Sequence, residues 1–414
     1  MKKKQYRIFL ILFLASMLSV HVVIAWNSVE LIRKGYPDFT IFYSSGRMLS
    51  QGLGRQLYDE ATQYRVQQEF AAGVSIRQGP LPYNHPPFEA LVFVPFAAVP
   101  YATAYCVWNL LNLIFIASML FLLRTCLPQL RSVSAPMWMF AWVAFFPVFF
   151  ALLQGQDALL LVLLFSMAYV LLRRNRDLAA GCCLGMGLFR FHLVLPLVLI
   201  LLWQKRGKTL IGFLGTALGL ALISIAIVGW QGALDYPSQV WQMERAMEKH
   251  QTIFPLRMAN LRGLMASLPP FASRHVMDLV ILVVSLGLLV FAARKWKATS
   301  PAEFDLSFSL CIIVTVLVGY HTLAYDLSLL LLPITLTLNY LFGNAASHAQ
   351  SDRRTRLLLL TPIFLLFFSP LHAYLAMRNG HYNLFALVLL FWCWALSREV
   401  SHASQSGLRE RLVS

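Results

Sequence analysis

Polar side chains able to do chemistry stand out in a chain that is 58% hydrophobic. Asp38, the run Gln154, Gln156 and Asp157, Arg190 with His192, His321 with Tyr325 and Asp326, and Arg378 with His381 each sit at the end of an apolar run. A carboxylate can take a proton from a hydroxyl within hydrogen-bond reach. A guanidinium, imidazoles and amides can stabilise a departing phosphate as its negative charge develops. The set therefore suits general-base attack on a phosphate-bearing substrate. The sequence contains no nucleotide-binding glycine loop, Cys/His metal spacing, nucleophile elbow or paired-aspartate motif for a metal-held sugar nucleotide. No metal-ligating residues are assigned and no tightly bound cofactor is expected; the sequence leaves open whether a divalent ion takes part.

Each residue also has a structural explanation. Asp38 follows Pro37 and could cap a helix beginning at Phe39. On spacing alone Gln154 and Gln156 read first as turn residues of a tight hairpin. Arg190 could snorkel to an interface, and His321 could pair with Asp326. Arg378 and His381 read as loop residues, and His21, His85 and His372 as structural histidines.

The elements that must position these residues are membrane helices. Only 13% of the 414 residues are charged and the mean hydropathy is +0.65, whereas a soluble domain carries about a quarter charged residues. Apolar segments at 8–26, 101–123, 137–153, 157–172, 178–189, 193–203, 209–229, 276–293, 304–319, 326–342, 357–376 and 383–397 predict an all-α polytopic bundle of about 12 segments. The net charge of +16 sits in clusters between them, which argues for lipid topology and against nucleic acid. Lys2–Arg7, Arg124/Arg131, Arg173–Arg176, Lys205–Lys208, Arg294–Lys297, Arg353–Arg356 and Arg398–Arg411 fall on alternate connections. The positive-inside rule then places both termini in the cytoplasm. The six cysteines avoid the long polar loops, so no disulfide framework is expected.

Residues 178–203 could form one long helix, but that would break the charge alternation of every later loop. Parity favours two short segments with Arg190 and His192 at the tip. Broken helices in membranes wall polar cavities, where exposed backbone is tolerated. The bundle occupies 1–397, with a polar cytoplasmic tail at 398–414. Residues 27–100 and 230–275 form two outer loops. In the first, Phe39, Phe42, Tyr43 and Gly46 recur at helical spacing and predict an interfacial amphipathic helix. A second helix follows Asp59 as N-cap and runs to about Phe70. Because the polar residues come from distant segments yet share one membrane face, they predict a wet, charged pocket at the outer leaflet.

Several local patterns, in order, resemble glycosyltransferase family 87, polytopic bacterial enzymes of the GT-C superfamily. They are Asp38-Phe39 with Phe42-Tyr43, Gly46, Gly52 and Tyr58-Asp59; Tyr83 before Pro86-Pro87, then Pro95, Pro100 and Trp108; Gln154-Gly155-Gln156; and His321 with Tyr325-Asp326. The resemblance implies inverting transfer of a mannose or related hexose from a polyprenyl-phosphate donor to a glycan or glycolipid hydroxyl. The reaction would take place at the periplasmic face of the inner (plasma) membrane. It makes Asp38 the general base and sets His321 beside the donor. Arg190, His192, Gln154 and Gln156 would hold the donor phosphate, and Tyr43, Tyr325 and Asp326 would line the sugar and acceptor pocket. Where the family often has Lys-Pro, this chain has Arg190-Phe191-His192, which keeps the charge and adds a bidentate fork. A transporter or flippase of lipid-linked glycans would also want a basic cavity, but with polar residues along its full depth. A structural assembly subunit would not require the broken pair.

Overall fold

The computed structural model describes residues 2–71, 81–249, 255–269, 273–296, 300–344 and 353–413. Parts of both expected outer loops (72–80, 250–254 and 270–272), Lys297, and the side chains of Lys2–Lys4, Arg409 and Arg411 lie outside that description. The described chain is helical, with no strand among the described residues. In order, the α-helices are α1 Lys2–Arg33, α2 Phe39–Ser50, α3 Glu60–Ala71, α4 Ala90–Phe93, α5 Tyr101–Arg124 and α6 Ala135–Val143. They continue with α7 Phe146–Gln154, α8 Ala158–Arg173, α9 Asp177–Met186, α10 Phe191–Trp203, α11 Gly207–Lys249 and α12 Leu261–Ala266. The last are α13 Arg274–Lys295, α14 Pro301–Val318, α15 Leu331–Asn344, α16 Arg353–Phe367, α17 Ser369–Ala373 and α18 Phe385–Val413.

Eight described stretches are long and apolar enough to cross a membrane, or up to ten if each of two bent pairs counts as a span. That test takes the expected segments 178–189 and 193–203 together as Asp177–Trp203 and leaves out 157–172. The segment 157–172 becomes α8, which is too short for that class. The bent pairs have a local cause: α6 meets α7 at 70° just before Pro147, and α16 meets the following helical turns at 55° just before Pro370. Proline opening a helix cannot donate to the preceding turn. The centre of the bundle is α14, with 83% of its apolar window buried, whereas α13 has only 11%. The peripheral helices turn their leucines and valines to lipid, and the central ones pack against protein.

The stretch Asp177–Trp203 settles the question of the broken pair. As one straight helix its 27 residues would separate its ends by ~40 Å. Instead Arg206 Nη1 reaches Asp177 Oδ1 at 3.1 Å, so α9 and α10 fold back on each other. The reversal is the 3₁₀ turn Gly187–Arg190. α11 then climbs parallel to α9, with Gly181 beside Thr209 and Gly185 beside Thr216. A Cβ on Gly181 would stand 1.9 Å from the Thr209 carbonyl, and one on Gly212 would stand 2.1 Å from that of Leu178. Small residues spaced by four let two helix backbones meet in this way.

Two expectations for the loops change. The face of α2 bearing Phe39, Phe42 and Tyr43 is buried against Phe93, Tyr101 and Trp108, so α2 is a packed helix and not one lying on lipid. Residues 230–249 are not loop: α11 runs to Lys249 and is broken only at Gly229, whose φ of 79° suits glycine. Asp59 does cap α3, accepting the Thr62 amide at 2.8 Å.

Candidate active site

α8 runs from Asp157 to Arg173, and α14 beside it from Asp305 toward His321, and these ends sort the molecule into two faces. At one end Arg173 pairs with Asp305 at 2.7 Å, Arg174 donates to Thr125, and Lys295 donates to Ser401. At the other, Asp157 opens α8 and His321 follows α14. The residues singled out for chemistry gather at this second end.

The turn Gln154–Asp157 is held by one face of α5. Tyr105, Trp108 and Asn112, spaced by three and four, align along that face. The Tyr105 hydroxyl donates to Leu153 O at 2.9 Å, Trp108 Nε1 to Gly155 O at 3.0 Å, and Asn112 Nδ2 to Gln156 O at 3.1 Å. Gly155 is left-handed, and a Cβ there would meet Phe39 Cβ at 2.7 Å. The turn therefore presses on the start of α2, where Asp38 stands.

Asp38 is not a cap. Its backbone is helical, and its carboxylate makes no capping bond to α2. Instead Gln156 Nε2 donates to Asp38 Oδ2 at 2.8 Å, while Gln154 Oε1 accepts the Asp38 amide at 3.2 Å. The other end of Gln156 accepts from Arg190 Nη2. Two hydrogen bonds thus join the carboxylate of the first loop to the tip of the α9–α10 hairpin.

Arg190 is 3% exposed, and its donors are almost fully committed. Nε donates to Asp157 Oδ1 at 2.7 Å, Nη1 to Asp326 Oδ1 at 2.7 Å, and Nη2 to Asp157 and Gln156. The guanidinium also lies over the Tyr325 ring at 5.0 Å. It is a strut that fixes Gln156, Asp157 and Asp326, with little capacity left for the phosphate assigned to it from sequence. Asp326 is likewise a buried partner, also accepting the Leu323 amide at 2.8 Å, and does not line an acceptor pocket. Tyr43 is 1% exposed and donates to Val99 O at 2.8 Å, which places it in the aromatic packing of α2. His192 and His321 do come together, ring centres 6.3 Å apart and edge to face. Arg378 is exposed on the turns after α17, consistent with a loop residue.

Two residues of this site were not singled out from sequence. His85, read as structural, and Glu89 enter from the proline-rich segment before α4. His85 Nδ1 and Glu89 Oε2 are 2.8 Å apart, and both approach Asp157, with one ligand atom from each of the three lying within 4.8 Å of the others. Burial pushes the Glu89 carboxyl well above the usual range, and the neighbouring Asp157 adds to the shift. Burial holds the His85 imidazole down at about 4, so it is neutral near pH 7. The available signal was a His and a Glu four residues apart beside Pro86-Pro87.

These features define a polytopic all-α membrane protein with a hydrogen-bonded cluster of ionisable side chains at one end of its bundle. The model of glycosyltransferase family 87 matches residues 83–319, more than half of the chain, and the chain belongs to that family of glycosyltransferases. The matched stretch holds His85, Glu89, Gln154–Asp157, Arg190 and His192; Asp38, His321, Tyr325 and Asp326 lie outside it. Comparison with curated proteins and with solved structures gave no match.

Proposed function

We propose that the protein transfers a mannose or related hexose from a polyprenyl-phosphate donor to a hydroxyl of a lipid-linked or cell-envelope glycan, with inversion, at the outer face of the bacterial plasma membrane. The observation that carries this reading is Asp38: a half-buried carboxylate that caps nothing and is oriented through Gln156. In the reaction the acceptor O–H proton passes to an Asp38 carboxylate oxygen as the acceptor oxygen bonds to the anomeric carbon. The bond from that carbon to the phosphate oxygen breaks on the opposite face, and its electron pair leaves with the polyprenyl phosphate. His192 and His321 are the imidazoles placed to meet the departing phosphate. Arg190 acts through Gln156 as a positioning residue.

The outer-face assignment rests on the basic residues gathered at the opposite end, which the positive-inside rule puts in the cytoplasm. A lipid-borne donor fits that side, because sugar nucleotides are cytoplasmic. A flippase is disfavoured because the described ionisable cluster is confined to one end and does not run the length of the bundle. The test is Asp38→Asn in membranes supplied with a radiolabelled polyprenyl-phosphate mannose or related hexose. Loss of transfer by a stably inserted variant is the expected result. Transfer at the wild-type rate would remove Asp38 as the base.

A further inference from the structure

We propose that His85, Glu89 and Asp157 hold a divalent transition-metal ion between the first loop and the start of α8. The three side chains come from segments far apart in the chain, yet their ligand atoms lie within 4.8 Å of one another. A dication bound at about 2.0–2.2 Å to each oxygen and nitrogen would draw them together by small side-chain rotations. Glu89 and Asp157 are each 2% exposed. Glu89 Oε1 and Asp157 Oδ2 are buried with no hydrogen-bond partner among the described residues. The arrangement around these two oxygens is already built. Arg190 takes the other Asp157 oxygen, and the Tyr58 hydroxyl pins His85 through its carbonyl at 2.8 Å. The Tyr83 hydroxyl fixes the turn at Pro86 O at 2.9 Å.

Charge argues the same way. Among the described residues, Glu89, Asp157 and Asp326 are buried around one guanidinium, that of Arg190, and Asp38 is one glutamine away. Uncompensated carboxylates in a low-dielectric interior are expensive, and an acidic chamber would repel an anionic donor. A dication balances the excess and reverses the local sign. One nitrogen and two carboxylate oxygens suit manganese or zinc, and three protein ligands leave coordination positions open, as catalytic sites do. This site adds a candidate ligand set that no sequence spacing pointed to. Its occupant's use in transfer rests on the function proposed above; its existence does not.

The test uses full-length protein in lipid nanodiscs, stripped with chelator and titrated with Mn²⁺ alone, without sugar donor. Electron paramagnetic resonance is expected to count one bound Mn²⁺ per chain, with nitrogen coupling from one histidine. Zn²⁺ should displace it, and Glu89→Gln should weaken binding by about tenfold or more. Any of three results would overturn the site: no bound Mn²⁺, bound Mn²⁺ without nitrogen coupling, or undiminished binding in folded Glu89→Gln. The first would leave Glu89 and Asp157 sharing a proton only. The wild-type spectrum decides even where the variant fails to fold, and none of these results bears on whether sugar is transferred.

Discussion

Replacing Arg190 with alanine separates a strut from a phosphate ligand. The guanidinium is 4% exposed, and its partners Asp157 and Asp326 are 2% and 0% exposed. Removing one partner of a buried ion pair costs about 3–5 kcal/mol, because a charge is left without compensation. Here two carboxylates share one cation, so the two pairs form one coupled unit and their costs do not add. The expected loss is therefore about 3–5 kcal/mol for Arg190→Ala, a large part of the roughly 5–15 kcal/mol that holds a typical protein folded. The design includes a compensated variant, Arg190→Met with Asp157→Asn and Asp326→Asn, in which no charge is stranded. Unfolding of the nanodisc-reconstituted proteins, followed by heat and by denaturant, should place Arg190→Ala far below wild type. The triple variant should recover most of the difference. If Arg190→Ala unfolds within about 1 kcal/mol of wild type, or the triple variant is no more stable than the single one, the strut assignment is wrong. A stable single variant with weakened donor affinity would restore the phosphate role expected from sequence.

Gln156→Leu keeps the volume but severs both bonds between Asp38 and Arg190; steady-state assays should show kcat falling by about 100-fold, as a misplaced reacting group predicts, with little change in donor KM. Gly181→Val drives a side chain into the Thr209 carbonyl, which cannot step aside, and should cost about 2 kcal/mol or more in the same unfolding assays. Cysteine at Tyr64, which is 39% exposed on α3, should react with an impermeant maleimide on intact spheroplasts; protection until the membrane is opened would invert the proposed orientation.

The elements that could be read in advance were those with a strong local rule. Charge alternation predicted the α9–α10 reversal even though the apolar run 178–203 is long enough for one helix, and Asp177–Arg206 confirms it. The Gln154-Gly155-Gln156 turn and Arg190 stood out because amides and a cation are rare in such apolar surroundings. Tyr43 and Asp326, expected at the sugar and acceptor pocket, are bonded to protein instead, because helical spacing and loop position reveal that a side chain faces inward, not whether it faces substrate or protein. His85 and Glu89 escaped because their partner Asp157 lies in a different segment, and no spacing rule links positions so far apart. The twelve expected segments differ from the eight to ten membrane-length stretches at two places: hydropathy counts the 16 residues of α8, and it counts the two limbs of Asp177–Trp203 separately.

The glycine seam between α9 and α11 has a mechanical consequence. With carbonyl oxygens where side chains would otherwise stand, the two backbones interlock and sliding one past the other would drive them into contact. The turn that carries Arg190 thus grows out of a closely packed helix pair. On the proposed function, the opening that admits a lipid-borne donor is expected among the segments leaning against that pair, the α2 and His85–Glu89 side of the chamber.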